Sequence, residues 1–176
     1  DASVDVLDIV SIVNVILGNP PPTFFDCAGD QNGDGSVDVL DIVSIVNCIL
    51  AGGCDCDGSM PREGASIIEN ATSAQVFQEG NTVSVYADGF IGGIQMTLKH
   101  GENFDITLKN EFSNTEVGFG AYNTIGNTTT LVVVAPANNE LFTAEGDFEI
   151  TEVVAASGDY YLDITIANKY ALLSNY

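Results

Sequence analysis

Asp30-Gln-Asn32-Gly-Asp34-Gly35-Ser36-Val37-Asp38-Val-Leu-Asp41 is a twelve-residue stretch with oxygen side chains at positions 1, 3, 5, 9 and 12. Calcium takes about six to eight hard oxygen ligands in a roughly pentagonal-bipyramidal arrangement, and this spacing supplies them. Asp30, Asn32 and Asp34 would give side-chain oxygens, Ser36 its carbonyl, Asp38 a water-bridged contact, and Asp41 a carboxylate from the first turn of a helix. Gly35 stands at position 6, where the chain must turn through a backbone geometry that other residues resist. Val37 at position 8 completes a pattern that a merely acidic loop has no reason to adopt.

The same pattern begins once more, incomplete, at the start of the chain. Asp1 to Asn14 recurs as Asp34 to Asn47, with thirteen of fourteen positions identical and Ala2 in place of Gly35. Asp1, Ser3, Asp5 and Asp8 therefore match positions 5, 7, 9 and 12 of a second calcium loop whose first ligands are missing. Upstream residues would complete it, or a neighbouring molecule would, or it is half-formed.

Each loop must be positioned by the apolar helix that follows it. In the second copy Leu40, Val43, Val46 and Leu50 recur at helical spacing over Val39 to Leu50, and Gly18 and Gly52 stand where each helix should end. Both helices are apolar on almost every face, so each must be buried, against the other or against a partner. Asn19-Pro-Pro-Pro22 breaks the chain between them. A period near 33 with two copies and one helix per unit is a duplicated loop-helix unit rather than a solenoid.

Charge types separate this part from the rest. Residues 1 to 60 hold ten Asp and no Glu, Lys or Arg, whereas residues 61 to 176 hold five Asp, ten Glu and all four basic residues. That places a loop-helix module at 1–58, a linker at 59–65 and a second domain at 66–176. In the second domain the apolar period becomes two: Val83, Val85 and Ala87, then Ile94, Met96 and Leu98, then Phe104, Ile106 and Leu108 alternate with polar residues. Further strands are expected at 116–122, 128–135, 147–154 and 160–166. The fold class is thus α+β with two domains, a small helical module of paired EF-hand-type repeats and an antiparallel β-sandwich or jelly roll.

The tandem D-x-N-x-D-G-x-V-D-x-x-D units, each followed by one apolar helix, resemble type I dockerin repeats over residues 1 to about 52. The resemblance implies a module with near-twofold internal symmetry that docks onto a β-sandwich called a cohesin. Loop positions 10 and 11, hydroxyl residues in many dockerins, are Val6-Leu7 and Val39-Leu40 here, and the usual basic residues of the docking helices are missing. Any docking face is therefore more apolar. The segment Gly89 to Leu98 resembles cohesin-like domains. Ala171 to Tyr176 resembles the lead-in to the carboxy-terminal sorting domain of type IX secretion substrates, without the Pro-Asn-Pro-Phe motif that would follow.

A net charge of −21 repels phosphate backbones and anionic headgroups, so nucleic acid is a poor partner, and no apolar run is long enough to span a bilayer. Cys27, Cys48, Cys54 and Cys56 crowd around the first module, as expected where disulfides persist; pairing of Cys27 with Cys48 is one connectivity, and a four-sulfur zinc site fits the spacing poorly. The expected location is extracellular, secreted or on the surface of a bacterial or archaeal cell. Asn70 and Asn127 open N-glycosylation acceptor patterns.

Nothing points to catalysis. His100 reads as a solvated turn residue, and Glu145, Asp147 and Glu149 read as one solvated strand face. Three functions are left: a calcium-dependent structural subunit whose partner is other copies of itself, joined head to tail into a filament or surface layer, or else a cohesin-like domain; a non-catalytic attachment or export tail of a secreted enzyme; and a polysaccharide-binding sandwich. The last would want a row of exposed aromatics, and the chain has no Trp and scattered tyrosines.

Overall fold

The computed structural model describes residues 6–22, 29–50, 69–109, 119–158 and 160–168. Among the described residues, the helices α1 (Val6–Ile16) and α2 (Val39–Leu50) come first. Ten strands follow: β1 (Ser73–Glu79), β2 (Thr82–Ala87), β3 (Gly93–His100), β4 (Asp105–Leu108), β5 (Phe119–Ile125), β6 (Thr128–Val134), β7 (Glu140–Glu145), β8 (Phe148–Ser157), β9 (Tyr160–Tyr161) and β10 (Asp163–Asn168).

The strands form two five-stranded sheets, ordered β10-β1-β2-β7-β4 and β5-β6-β3-β8-β9. Period-two patterning explains the core between them. Val83 and Val85 of β2, Ile94, Met96 and Leu98 of β3, Leu131 and Val133 of β6, and Phe142 of β7 all point inward and are buried. All paired strands are antiparallel except β1 and β10, which run parallel from Ser73↔Asp163 to Gln78↔Asn168. The β-sandwich expected from sequence is therefore present, with this one parallel pair added.

Several boundaries differ from expectation. The strand expected at 116–122 is seen as β5, three residues later, and residues 110–118 lie outside the described set. The strand expected at 160–166 is split at Leu162, which is buried, so that β9 joins one sheet and β10 the other. Glu145, Asp147 and Glu149 do not share a strand: Glu145 ends β7, Asp147 follows Gly146 (φ 86°), and Glu149 lies in β8 of the opposite sheet.

The α2 helix spans the expected residues. α1 closes on Gly18 at φ 77°, with the Gly18 amide donating to Val15 O and the Asn19 amide to Asn14 O, so two otherwise orphaned carbonyls are satisfied. Ile9 and Ile12 of α1 and Ile42 and Ile45 of α2 are buried in one cluster that also holds Val132, Val134 and Ala156 from the outer face of the second sheet. Most of the apolar surplus of the helices is thus covered by the helix pair and by the chain's own sandwich, while Leu7 and Val10 of α1 stay exposed. β6 shows this locally: its inward residues meet the sandwich core while Val132 and Val134 meet the helices, so Leu131 to Val134 are buried without alternation.

Candidate calcium loop and helix seat

The loop before α2 is held by its own carboxylates. Asp30 accepts from the amides of Asp34 (3.1 Å) and Gly35 (2.9 Å), and Asp34 accepts from the Ser36 amide at 2.9 Å. Asn32 Oδ1 accepts from the Asp34 amide at 2.9 Å. Gly33 and Gly35 sit at φ 72° and 90°, the left-handed geometry for which position 6 needs glycine. Asp38 and Asp41 cap the helix reciprocally: Asp38 accepts from the Leu40 amide (2.8 Å), and Asp41 accepts from the Asp38 amide (2.9 Å). Asp41 also reaches back across the loop to the Gln31 amide at 2.6 Å and the Asn32 amide at 3.3 Å.

The sequence-predicted residues Asp30, Asn32, Asp34, Ser36, Asp38 and Asp41 are therefore woven into one curled loop. Among the described residues, no three His, Cys, Asp or Glu side chains gather as a ready-made metal cluster. The donor set nevertheless suits calcium in kind. It consists wholly of hard oxygens, an amide engages one lone pair of a carboxylate oxygen and leaves others, and the Asp41 carboxylate is wholly buried. Burial pushes the Asp41 pKa above its ordinary value of 3.8, against the downward pull of its amide donors.

Of the earlier half-loop, Asp1, Ser3 and Asp5 lie outside the described residues, while Asp8 stands half-buried in the first turn of α1 at the place Asp41 takes in α2. Cys48 is buried and disulfide-bonded; Cys27, Cys54 and Cys56 lie outside the described residues.

Sequence reasoning missed how the loop and helices meet the sandwich. Val39 and Val43 of α2 sit over Gly92 and Gly93 at the start of β3; a Cβ on Gly92 would come within 2.8 Å of Val43 Cγ1, and one on Gly93 would run into Val39. Three polar ties frame this apolar seat. Asn123 of β5 donates to Leu17 O at 2.8 Å, Asn47 of α2 donates to Gly158 O at 3.3 Å, and Tyr161 of β9 sets its hydroxyl 2.6 Å from Asp34 Oδ2 and 2.9 Å from Asp38 Oδ2. The Tyr161 hydrogen bond is the largest influence holding the Asp34 carboxyl below its ordinary pKa, ahead of the Ser36 amide and Asn32. Burial, and then the carboxylates it faces, raise the phenol of Tyr161. The unbroken run Leu131 to Val134 was the one sequence signal that this sheet is covered on both faces.

The two helices are not used alike. Leu40 and Val43 of α2 are 3 % exposed, whereas their counterparts Leu7 and Val10 of α1 are 63 % and 50 % exposed.

His100 is not a solvated turn residue. It closes β3 with its ring 4.0 Å from that of Phe104, and its two nitrogens meet Gly101 O at 2.8 Å and the buried Thr129 hydroxyl at 2.9 Å. Neighbouring strands enclose the ring, which the nearby glycine did not foretell. Among the described helices none is long and apolar enough to cross a membrane.

No protein-family model matches the sequence, nor does any curated protein. Among solved structures, the chain is similar to a non-cellulosomal cohesin from the hyperthermophilic archaeon Archaeoglobus fulgidus, with 14 % identity over 59 % of this chain and 99 % of that one, at a TM-score of 0.35. It is also similar to a cohesin module from a Clostridium perfringens family 33 glycoside hydrolase, with 11 % identity over 57 % of this chain and 99 % of that one, at a TM-score of 0.32. Likenesses of this size carry no argument about binding, and the sandwich rests on its own strand pairing.

Proposed function

We propose that this chain is a non-catalytic, extracellular calcium-binding protein that works by docking its loop-helix module onto a β-sandwich, and that this contact joins copies head to tail when the module of one copy takes the sandwich of the next. The observation that carries the reading is the seat itself, apolar helices lying on the Gly92–Gly93 notch with a candidate calcium loop tied to the same sheet. A contact that closes within a chain can be exchanged between chains, and exchange repeated in one direction gives a filament if the rotation does not close. The closed form prevails when the chain is dilute, because its two halves are present at high effective concentration. The Cys48 disulfide supports an oxidising compartment.

Light scattering and negative-stain microscopy at rising protein concentration, with millimolar calcium and again with chelator, test the reading. Concentration-dependent oligomers or filaments that need calcium are expected. A monomer under every condition would sink assembly. Because the chain here covers its own sheet, that result would favour the second reading, an attachment or export appendage of a larger secreted protein.

A further inference from the structure

We infer that Tyr161, on an edge strand of the sandwich, is the residue that couples calcium in the 30–41 loop to the docking of the helices, by orienting Asp34 and Asp38 from outside the loop. This inference rests on the calcium reading of that loop and goes beyond it, since Tyr161 lies more than a hundred residues away in the other domain.

The Tyr161 hydroxyl is the point of contact with the loop. It carries one proton and stands within hydrogen-bond distance of two carboxylate oxygens, Asp34 Oδ2 and Asp38 Oδ2. Asp34 Oδ1 is engaged by the Ser36 amide and Asp38 Oδ1 by the Leu40 amide; Asp34 Oδ2 is shared between Tyr161 and the Asn32 side-chain amide (2.9 Å), and Tyr161 holds Asp38 Oδ2 from the sandwich. Groups that hold a metal-ligating carboxylate in orientation are part of the site although they never touch the ion. Without a cation, Tyr161 also draws two negative groups toward each other, a repulsion that a bound divalent ion relieves. Ion binding and docking then stabilise one another, and the coupling acts equally in both directions. The remaining ties, Asn123 to Leu17 and Asn47 to Gly158, touch neither carboxylate, so Tyr161 alone among these three joins the seat to the loop.

Tyr161→Phe removes the hydroxyl and keeps the ring of a side chain that is 43 % exposed, so the variant should fold. Calcium alone is titrated into wild type and variant by calorimetry, and tyrosine near-ultraviolet absorbance is followed in parallel; the chain has no Trp to mask it. The expected result is binding weakened roughly ten- to hundredfold in the variant, with loss of a calcium-induced tyrosine difference signal seen in the wild type. Equal affinities and an unchanged signal would overturn the role of Tyr161 while leaving the calcium loop intact. A wild type that takes up no calcium would overturn the calcium reading itself, and this inference with it.

Discussion

Asp88 shows how much a single exposed carboxylate can organise. It lies beyond the end of β2 and accepts from the amides of Thr72 (2.8 Å) and Ser73 (3.1 Å) and from both their hydroxyls, pinning the entry of β1. These donors, the Thr72 hydroxyl foremost, hold its pKa well below the ordinary 3.8. A lowered carboxyl contributes stability that is present above 3.8 and lost as pH falls below it. Asp41 acts with the opposite sign: its raised pKa means that the folded chain binds the extra proton, so without calcium its burial weakens the fold as pH rises from 3.8. The difference between wild type and Asp88→Asn isolates the first effect. In urea melts with chelator present, the variant should lose less stability on acidification below about pH 3.8 than the wild type does; parallel profiles would show that Asp88 contributes nothing beyond its neighbours. Residue chemistry of this kind was only partly legible in sequence. The calcium-type spacing from Asp30 to Asp41 is legible as a pattern because it runs along one loop, but the partners of Asp88 and His100 come from distant parts of the chain, and no spacing announces them.

Among the elements, α2 and β3 depend on each other's shape. Gly92 and Gly93 provide a shallow place on an otherwise side-chain-covered sheet, and Val39 and Val43, stiff at χ1 in a helix, fill it. Gly93→Ala should therefore force the helix off its seat and lower stability by about 1–3 kcal/mol, the usual cost of overpacking a fitted contact, as read from the midpoint of denaturant unfolding. An unchanged midpoint would mean that the helices are not seated there in solution. Helix periodicity and the capping glycine at Gly18 were plain in the sequence. The choice between the two helices was not: Leu7 and Val10 repeat Leu40 and Val43, yet one pair is exposed and the other buried. Identical local patterns cannot decide which copy meets a sheet supplied by residues far along the chain. The strands β1 and β7 were likewise passed over, since Ser73–Glu79 and Glu140–Glu145 mix polar residues into their pattern and gain their place from neighbours on both sides.

For the molecule as a whole, the net charge of −21 sets a background of self-repulsion that any salt partly screens. A specific site makes a further distinction. At matched ionic strength, calcium should raise the unfolding free energy beyond sodium by about 2.7 kcal/mol when present at ~100 times its dissociation constant, measured by thermal melting; equal effects of the two salts would reduce calcium to a screening ion. The sandwich architecture was legible from alternation, but the parallel partnership of its first and last strands was not, because it joins segments that nothing local relates. That partnership has a mechanical meaning. A tension applied between the start of β1 and the end of β10 pulls the two strands past each other, loading six residue pairs at once rather than unzipping them singly. The sandwich is thus built to resist a pull along the line from the start of β1 to the end of β10.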